Sequence, residues 1–484
     1  MKQTVDVHGH LIGGQWVATD AVQENINPSD TNEVVGRYAV GTIEHVDQAV
    51  QAARAAFASW SCSSPQLRHD ILRKAGAELA ARKEELGRLL SSEEGKTLPE
   101  GMGEVQRAAS VMDFMAGEAL RIPGERVSGL VSGSDAEVTR EPLGVVGIIA
   151  PWNFPIAIPA WKIGPALAYG NTVVFKPADL VPGSAWALVD ILQRAGLPEG
   201  VLNLVMGRGS VIGAALASHP EVDAISFTGS VPTGRRIAEA AITGPVMKRL
   251  QLEMGGKNPL VVLDDANLDV AVECAVQGAF YSTGQRCTAS SRFIVTPGIH
   301  DRFIDAVLQR MKGLRIGHAL APDSDIGPVV DARQLETNLR YIALGRDEGA
   351  ELLHGGEVLE RATPGFYMQP ALFASTLPSM KVVREEIFGP VATVTRADDY
   401  EHALALANDT EFGLSAGICT GSLSSATHFK RHSQAGIVKV NQATSGLDFH
   451  LPFGGRKASS YGPREQGRYA VEFYTVIKTA YTSV

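Results

Sequence analysis

The chain has 484 residues, 45% of them hydrophobic and 20% charged. That length exceeds what one hydrophobic core ordinarily supports, and the composition argues against disorder. A formal net charge of −9 disfavours nucleic acid and anionic membranes as partners, although a local cation can still hold an anionic substrate. The four cysteines, Cys62, Cys274, Cys287 and Cys419, form no CxxC pair and follow no regular spacing, which argues against a disulfide framework or a zinc site and for a reducing compartment. Met1–His8 carries no apolar core of signal-peptide length, and no apolar run approaches the ~20 residues that cross a bilayer. The cytoplasm is the expected location.

Residues 44–120 read as helical, with Val46, Val50, Ala53, Phe57 and Trp60 recurring at three- and four-residue steps. Four short apolar runs follow, at 144–150, 172–175, 201–205 and 224–227. The first two are closed by Pro151 and by Lys176-Pro177, as buried strands are. Helix-like segments such as 185–195 separate them. Strand and helix alternating at this spacing predict a parallel α/β sheet. A second α/β series begins after residue 254, with strand-like runs at 259–263, 293–295 and 392–394. A boundary near 253–256 places Glu253 and Cys287 on either side of a cleft, a favoured position for a small-molecule site. The alternation at 473–479 reads as a terminal strand free to complete another subunit's sheet.

Two glycine turns compete for a phosphate. Gly207-Arg208-Gly209-Ser210-Val211-Ile212-Gly213 has its third glycine one place late for the dinucleotide fingerprint. A plain turn into a helix is the better reading there. In Phe227-Thr228-Gly229-Ser230, small residues open a helix after a strand, where backbone N–H groups can approach a phosphate. A capped helix start explains it equally well. Lys176 presents an ammonium at a strand's carboxyl end, where open α/β sheets bind ligands, unless it is a surface lysine.

Cys287 lies in a small polar loop, Gly284-Gln285-Arg286-Cys287-Thr288, and Glu253 leads into a glycine pair, Leu252-Glu253-Met254-Gly255-Gly256-Lys257. A thiol that can ionise and a carboxylate that can take a proton are the parts of covalent acyl transfer. Arg286 and backbone dipoles are expected to favour the thiolate. Glu253 could instead cap the glycine turn. Cys274 and Cys419 read as core thiols and Cys62 as an exposed one.

Together with Pro151-Trp152-Asn153-Phe154-Pro155, Lys176-Pro177-Ala178, Glu385-Glu386-Ile387-Phe388-Gly389-Pro390 and Pro452-Phe453-Gly454-Gly455, these segments resemble the NAD(P)-dependent aldehyde dehydrogenase family, in the family's order and from about residue 10 onward. The resemblance implies an α/β fold with a Rossmann-type nucleotide-binding domain at 1–124 and 144–253. It also implies an α/β catalytic domain at 254–465, and a small β oligomerisation arm from 125–143 and 466–484. It assigns Cys287 as nucleophile, Glu253 as general base, and the Asn153 side chain with the Cys287 N–H as oxyanion hole. The cofactor, NAD or NADP, would meet Ile149, Trp152, Lys176, Asp179, Gly229, Ser230, Glu386 and Phe388. Asp179 stands where a carboxylate accepts the ribose 2′-OH and repels a 2′-phosphate, which leans toward NAD. A homodimer or homotetramer is implied.

Residues 155–162 and 281–292 look most like bacterial 2-oxoglutarate semialdehyde dehydrogenases. Such a substrate carries a carboxylate. Arg286 is the candidate cation for it, with pairing to an internal carboxylate as the alternative. Trp161 stands where many succinate semialdehyde dehydrogenases carry the arginine that holds their substrate. That weakens the succinate semialdehyde reading, which stays open beside other aliphatic aldehydes. A catalytically silent protein of the same fold, and a thiol hydrolase or acyltransferase without nicotinamide, are the remaining alternatives; Cys287, Glu253 and Asn153 together argue against the first, and Lys176, Ser230 and Glu386 against the second.

Overall fold

A computed structural model describes residues 7–483; Met1–Asp6, most of the stretch read for a leader, and Val484 lie outside the described residues. Apolar five-residue runs become strands buried along their whole length at Val145–Ile149, Thr172–Lys176 and Ala224–Thr228. They belong to an eight-stranded sheet. Its five central strands are parallel, running Arg249–Glu253, Ala224–Thr228, Val145–Ile149, Thr172–Lys176, Leu202–Leu204 across the sheet. In chain order that is 5-4-1-2-3, a doubly wound sheet. Its direction reverses between Val145–Ile149 and Ala224–Thr228, and ligands bind beyond the carboxyl ends of strands at such a point. Trp152 and Asn153 follow the first of these strands; Gly229 and Ser230 follow the other.

The helical region resolves into four helices, Ile43–Ser61, Pro65–Ala81, Lys83–Glu94 and Leu98–Ala119. The last starts at a reciprocal cap in which the Glu100 carboxylate accepts from the Thr97 amide at 3.1 Å. From this start the helix places Glu100, Glu104 and Arg107 at three- and four-residue steps, on one face.

A seven-stranded sheet occupies the second half, in the order Glu351–His354, Ala371–Ala374, Val391–Arg396, Ser290–Val295, Asn258–Val262, Ser415–Cys419, Ile437–Val440. Only the Glu351–His354 edge is antiparallel. A third sheet pairs Ser134–Pro142 with Glu125–Ser128 on one side and Thr475–Ser483 on the other. The terminal strand therefore has a partner in its own chain, in register from Thr475 opposite Pro142 to Ser483 opposite Ser134. It also starts later than the alternation suggests. Phe473 and Tyr474 close a helical turn, Val471–Tyr474, and are buried in the main core.

Candidate active site

The approach to Cys287 is an unusual backbone. After the helix Leu268–Phe280, Ser282, Thr283 and Gly284 all adopt positive φ, 51°, 55° and 66°. For the two non-glycine residues this costs on the order of 1–3 kcal/mol each, offset by specific bonds. The Ser282 hydroxyl donates to Glu100 Oε1 at 2.7 Å, and that of Thr283 donates to the Gly327 carbonyl at 3.1 Å. At Gly284 a Cβ would strike the Gly389 carbonyl oxygen. Beyond the turn, Asn258 Nδ2 donates to the carbonyls of Cys287 and Ala289, both at 2.8 Å. The backbone at Cys287 is pinned on both sides.

Cys287 lies where two cavities meet and, among the described residues, is the one that lines both. Burial pushes its thiol up to about 12, reinforced by the negative charges of Glu386 and Glu253 and opposed by the amides of Cys287 and Thr288. The thiol is thus neutral at ordinary pH. The expectation that Arg286 activates it is not met. That guanidinium turns onto Glu100 at 2.8 Å and onto the hydroxyls of Ser282 and Ser445.

Glu253 ends its strand buried at 2% exposure, with its carboxylate accepting the Ser460 hydroxyl. Burial raises its pKa well above the ordinary value, and the neighbouring Glu465 raises it further. Its side chain walls neither cavity; it lies near Cys287 but rests on Ser460. Glu465 in turn accepts from Trp161 Nε1 at 2.6 Å and pairs with Lys162, whose Nζ also donates to Ser226 Oγ at 2.9 Å. Ser460, Glu465 and Lys162 are absent from the sequence-derived site, because no local pattern marks them.

Asn153 is buried between these groups. Its Nδ2 donates one hydrogen bond, to the Gln285 carbonyl at 3.0 Å, and the amide's second N–H is uncommitted to any described residue. Lys96 Nζ donates to the Asn153 carbonyl at 2.7 Å and fixes that peptide.

One cavity, about 200 Å³, runs from Thr228, Gly229 and Ser230 past Trp152 and Asn153 to Glu386 and Phe388. Phe388 has φ 61° and is held by Gln334 Nε2 on its carbonyl at 3.2 Å; its ring meets Trp152 edge-on at 5.3 Å. Glu386 accepts from the Gly256 amide at 2.8 Å, and burial pushes its carboxyl up to about 7. A Cβ on Gly255 would fall on that carboxylate. A third cavity, about 440 Å³, is lined by Ile149, Gly209, Ser210, Gly213 and Arg236. The turn at 207–213 leads into a helix, Ala214–Ser218, as its sequence reads, and it also borders this space. Lys176, which burial pulls down to about 8, lies against Gly209. Asp179 is half-buried on the following loop, its carbonyl accepting from Gln23 at 2.7 Å.

The cavity on the other side of Cys287 is about 390 Å³, lined by Phe154, Trp161 and Phe453 rings and by Lys96, Arg107 and Arg286. Lys96 pairs with Glu104 at 2.7 Å. Arg107 lies over the Trp161 ring at 5.5 Å. The sequence reading placed neither Lys96 nor Arg107 here.

The sequence profile of the Aldehyde dehydrogenase family matches residues 16–480. The chain is 44% identical to the alpha-ketoglutaric semialdehyde dehydrogenase of Bacillus subtilis (strain 168), over 98% of this chain and 97% of that protein. Its structure matches that of betaine aldehyde dehydrogenase from Staphylococcus aureus in complex with NAD+, with a TM-score of 0.96 and 32% identity over 99% of this chain and 96% of that one. It matches an NADP-dependent enzyme of E. coli with a TM-score of 0.95 and 36% identity, over 99% and 98% of the two chains. A nearly full-length family match and a nearly full-length relative far above chance identity leave one conclusion: the chain belongs to the aldehyde dehydrogenase family.

Proposed function

We propose that this protein oxidises 2-oxoglutarate semialdehyde to 2-oxoglutarate with NAD or NADP. The observation that carries the proposal is the position of Cys287, shared by an aromatic, cation-bearing cavity and a cavity walled by a glycine turn, Glu386 and Phe388. The identity of the Bacillus subtilis relative supports the substrate.

The residues fit a nicotinamide dinucleotide. Gly255 leaves room that a Cβ would deny to Glu386, and Ser230 opens the helix Val231–Thr243 with its hydroxyl bonded only to Thr233 Oγ1, at 3.0 Å. Its first N–H groups are the positive end of that helix and suit a pyrophosphate. In this reading Ile149 and Lys176 face the adenosine half, Gly229 and Ser230 the pyrophosphate, and Trp152, Glu386 and Phe388 the nicotinamide half. Asp179 favours NAD over NADP. When bound, the cofactor supplies the two-electron acceptor that converts a hemithioacetal on Cys287 into a thioester.

The chain's own groups do the rest. The Cys287 sulfur adds to the aldehyde carbon as its proton passes to water, and the carbonyl π bond breaks onto oxygen. The oxygen that becomes negative accepts from the second N–H of Asn153 and from the Cys287 amide; a donor of this kind is worth ~3 kcal/mol. Glu253 swings from Ser460, takes a proton from water, and the water's oxygen displaces the sulfur to release the acid. A raised carboxyl pKa suits a base that works near neutral pH. The division at 124, 144, 254 and 466, cytoplasmic location and homodimeric or homotetrameric assembly through the 125–143 and C-terminal strands belong to the same reading.

Formation of reduced nicotinamide, followed by absorbance with 2-oxoglutarate semialdehyde, succinate semialdehyde, betaine aldehyde and an uncharged aliphatic aldehyde, tests it. The highest kcat/KM is expected with 2-oxoglutarate semialdehyde; no turnover of any aldehyde would sink the proposal.

A further inference from the structure

Three cations wall the 390 Å³ cavity: Lys96, Arg107 and Arg286. Two of them are already neutralised by neighbours on the helix Leu98–Ala119. Lys96 pairs with Glu104 at 2.7 Å, and Arg286 with Glu100 at 2.8 Å. Among the described residues, Arg107 has no carboxylate within ion-pair distance. Its one hydrogen bond is from Nη2 to the amide oxygen of Gln466 at 3.1 Å. Its Nε is buried and donates to nothing.

A buried guanidinium without a carboxylate partner is an unfavourable arrangement that an anionic ligand relieves. The wall therefore has one positive charge in excess, and that charge belongs to Arg107. The guanidinium lies 5.5 Å from the Trp161 ring centroid, and the Trp161 and Phe453 rings are 5.5 Å apart. Those rings form an apolar track between Arg107 and Cys287. Trp161 is itself fixed by its Nε1 bond to Glu465 at 2.6 Å. Glu104, Cys287 and Asp448 are the acidic groups whose fields reach Arg107, and none of them pairs with it.

We propose that Arg107, rather than Arg286, receives the far carboxylate of the substrate and so sets the preference for aldehydes that carry one. This rests on the semialdehyde reading given above. The planar fork of arginine offers a carboxylate two parallel N–H donors. Gln466 holds Nη2 in place. Arg286 keeps a different task, tying the left-handed turn at Ser282 to Glu100.

The test is a selectivity ratio, kcat/KM for 2-oxoglutarate semialdehyde divided by kcat/KM for pentanal, measured within each variant. The ratio cancels any loss of correctly folded enzyme. Wild type is expected to favour the semialdehyde strongly. In Arg107→Met the ratio should fall by about 30-fold or more, mostly through KM, since truncating one partner of a buried charge pair costs 2–5 kcal/mol. Arg107→Lys should recover part of it. Calorimetric titration of 2-oxoglutarate into the apoenzyme should weaken in parallel in Arg107→Met. A wild type indifferent to the carboxylate overturns the substrate reading itself. A wild-type preference that survives intact in Arg107→Met overturns only the role of Arg107.

Discussion

The Ser460 hydroxyl donates to the Glu253 carboxylate while its oxygen accepts from the Gly455 amide at 2.6 Å. The bond favours the ionised form of Glu253, against burial and Glu465, which favour the protonated form. In Ser460→Ala the carboxyl pKa should rise further. The acid limb of the kcat–pH profile should then move to higher pH by about one unit. A limb that stays put would separate Glu253 from the rate-limiting proton transfer.

Glu253→Gln should stop turnover at the acyl stage. A burst of about one equivalent of reduced cofactor per Cys287 is expected, and mass spectrometry should find the thioester. Stability carries a second readout. A carboxyl whose folded pKa is raised contributes most below its unfolded value near 4.5, and that contribution is lost as pH rises through the folded pKa. The Tm of Glu253→Gln relative to wild type should therefore be higher at pH 8 than at pH 4.5. The opposite trend would contradict the burial argument.

With its thiol pushed up to about 12 in the cofactor-free protein, Cys287 should alkylate slowly. The iodoacetamide rate, followed on the Cys287 peptide, should climb about tenfold per pH unit from pH 7 to 10 without levelling. A plateau near pH 8 would reveal an activating cation or dipole not accounted for above.

Asn153→Ala removes the side-chain N–H left over after the bond to Gln285. We expect kcat to drop by about 10²–10³-fold with KM for the aldehyde little changed. A large KM effect with kcat preserved would make Asn153 a binding group instead.

Gly255→Ala would drive a methyl group into the Glu386 carboxylate. The KM for NAD should rise by about tenfold or more. Binding measured by quenching of protein fluorescence should weaken equally. Unchanged affinity would mean that Glu386 does not bear on the cofactor.

Much of this site can be read in the sequence because its parts sit beside breaks in pattern. Val145–Ile149 and Thr172–Lys176 are apolar runs ended by proline, so the strand ends, and with them Asn153 and Lys176, are visible. What is hidden depends on contacts between residues distant in the chain. Arg286 reads equally as a ligand or as half of an ion pair until Glu100 is found beside it, 186 positions away. Arg107 lies within a continuous helical pattern, and its one partner, Gln466, is 359 positions off. The turn at 207–213 fails a spacing rule because it winds as a π-helical turn, yet its small residues still border a cavity. Phe473 and Tyr474 alternate like a strand, but burying two large rings in the core favours a helical turn.

Among the described residues, the cavities on the two sides of Cys287 have only that residue in common. Neither ligand has to give way for the other, so a compound lodged on one side should inhibit noncompetitively against the ligand on the other. What the two chambers share is one side chain and its sulfur. A reagent that caps the sulfur should therefore be felt from both chambers at once.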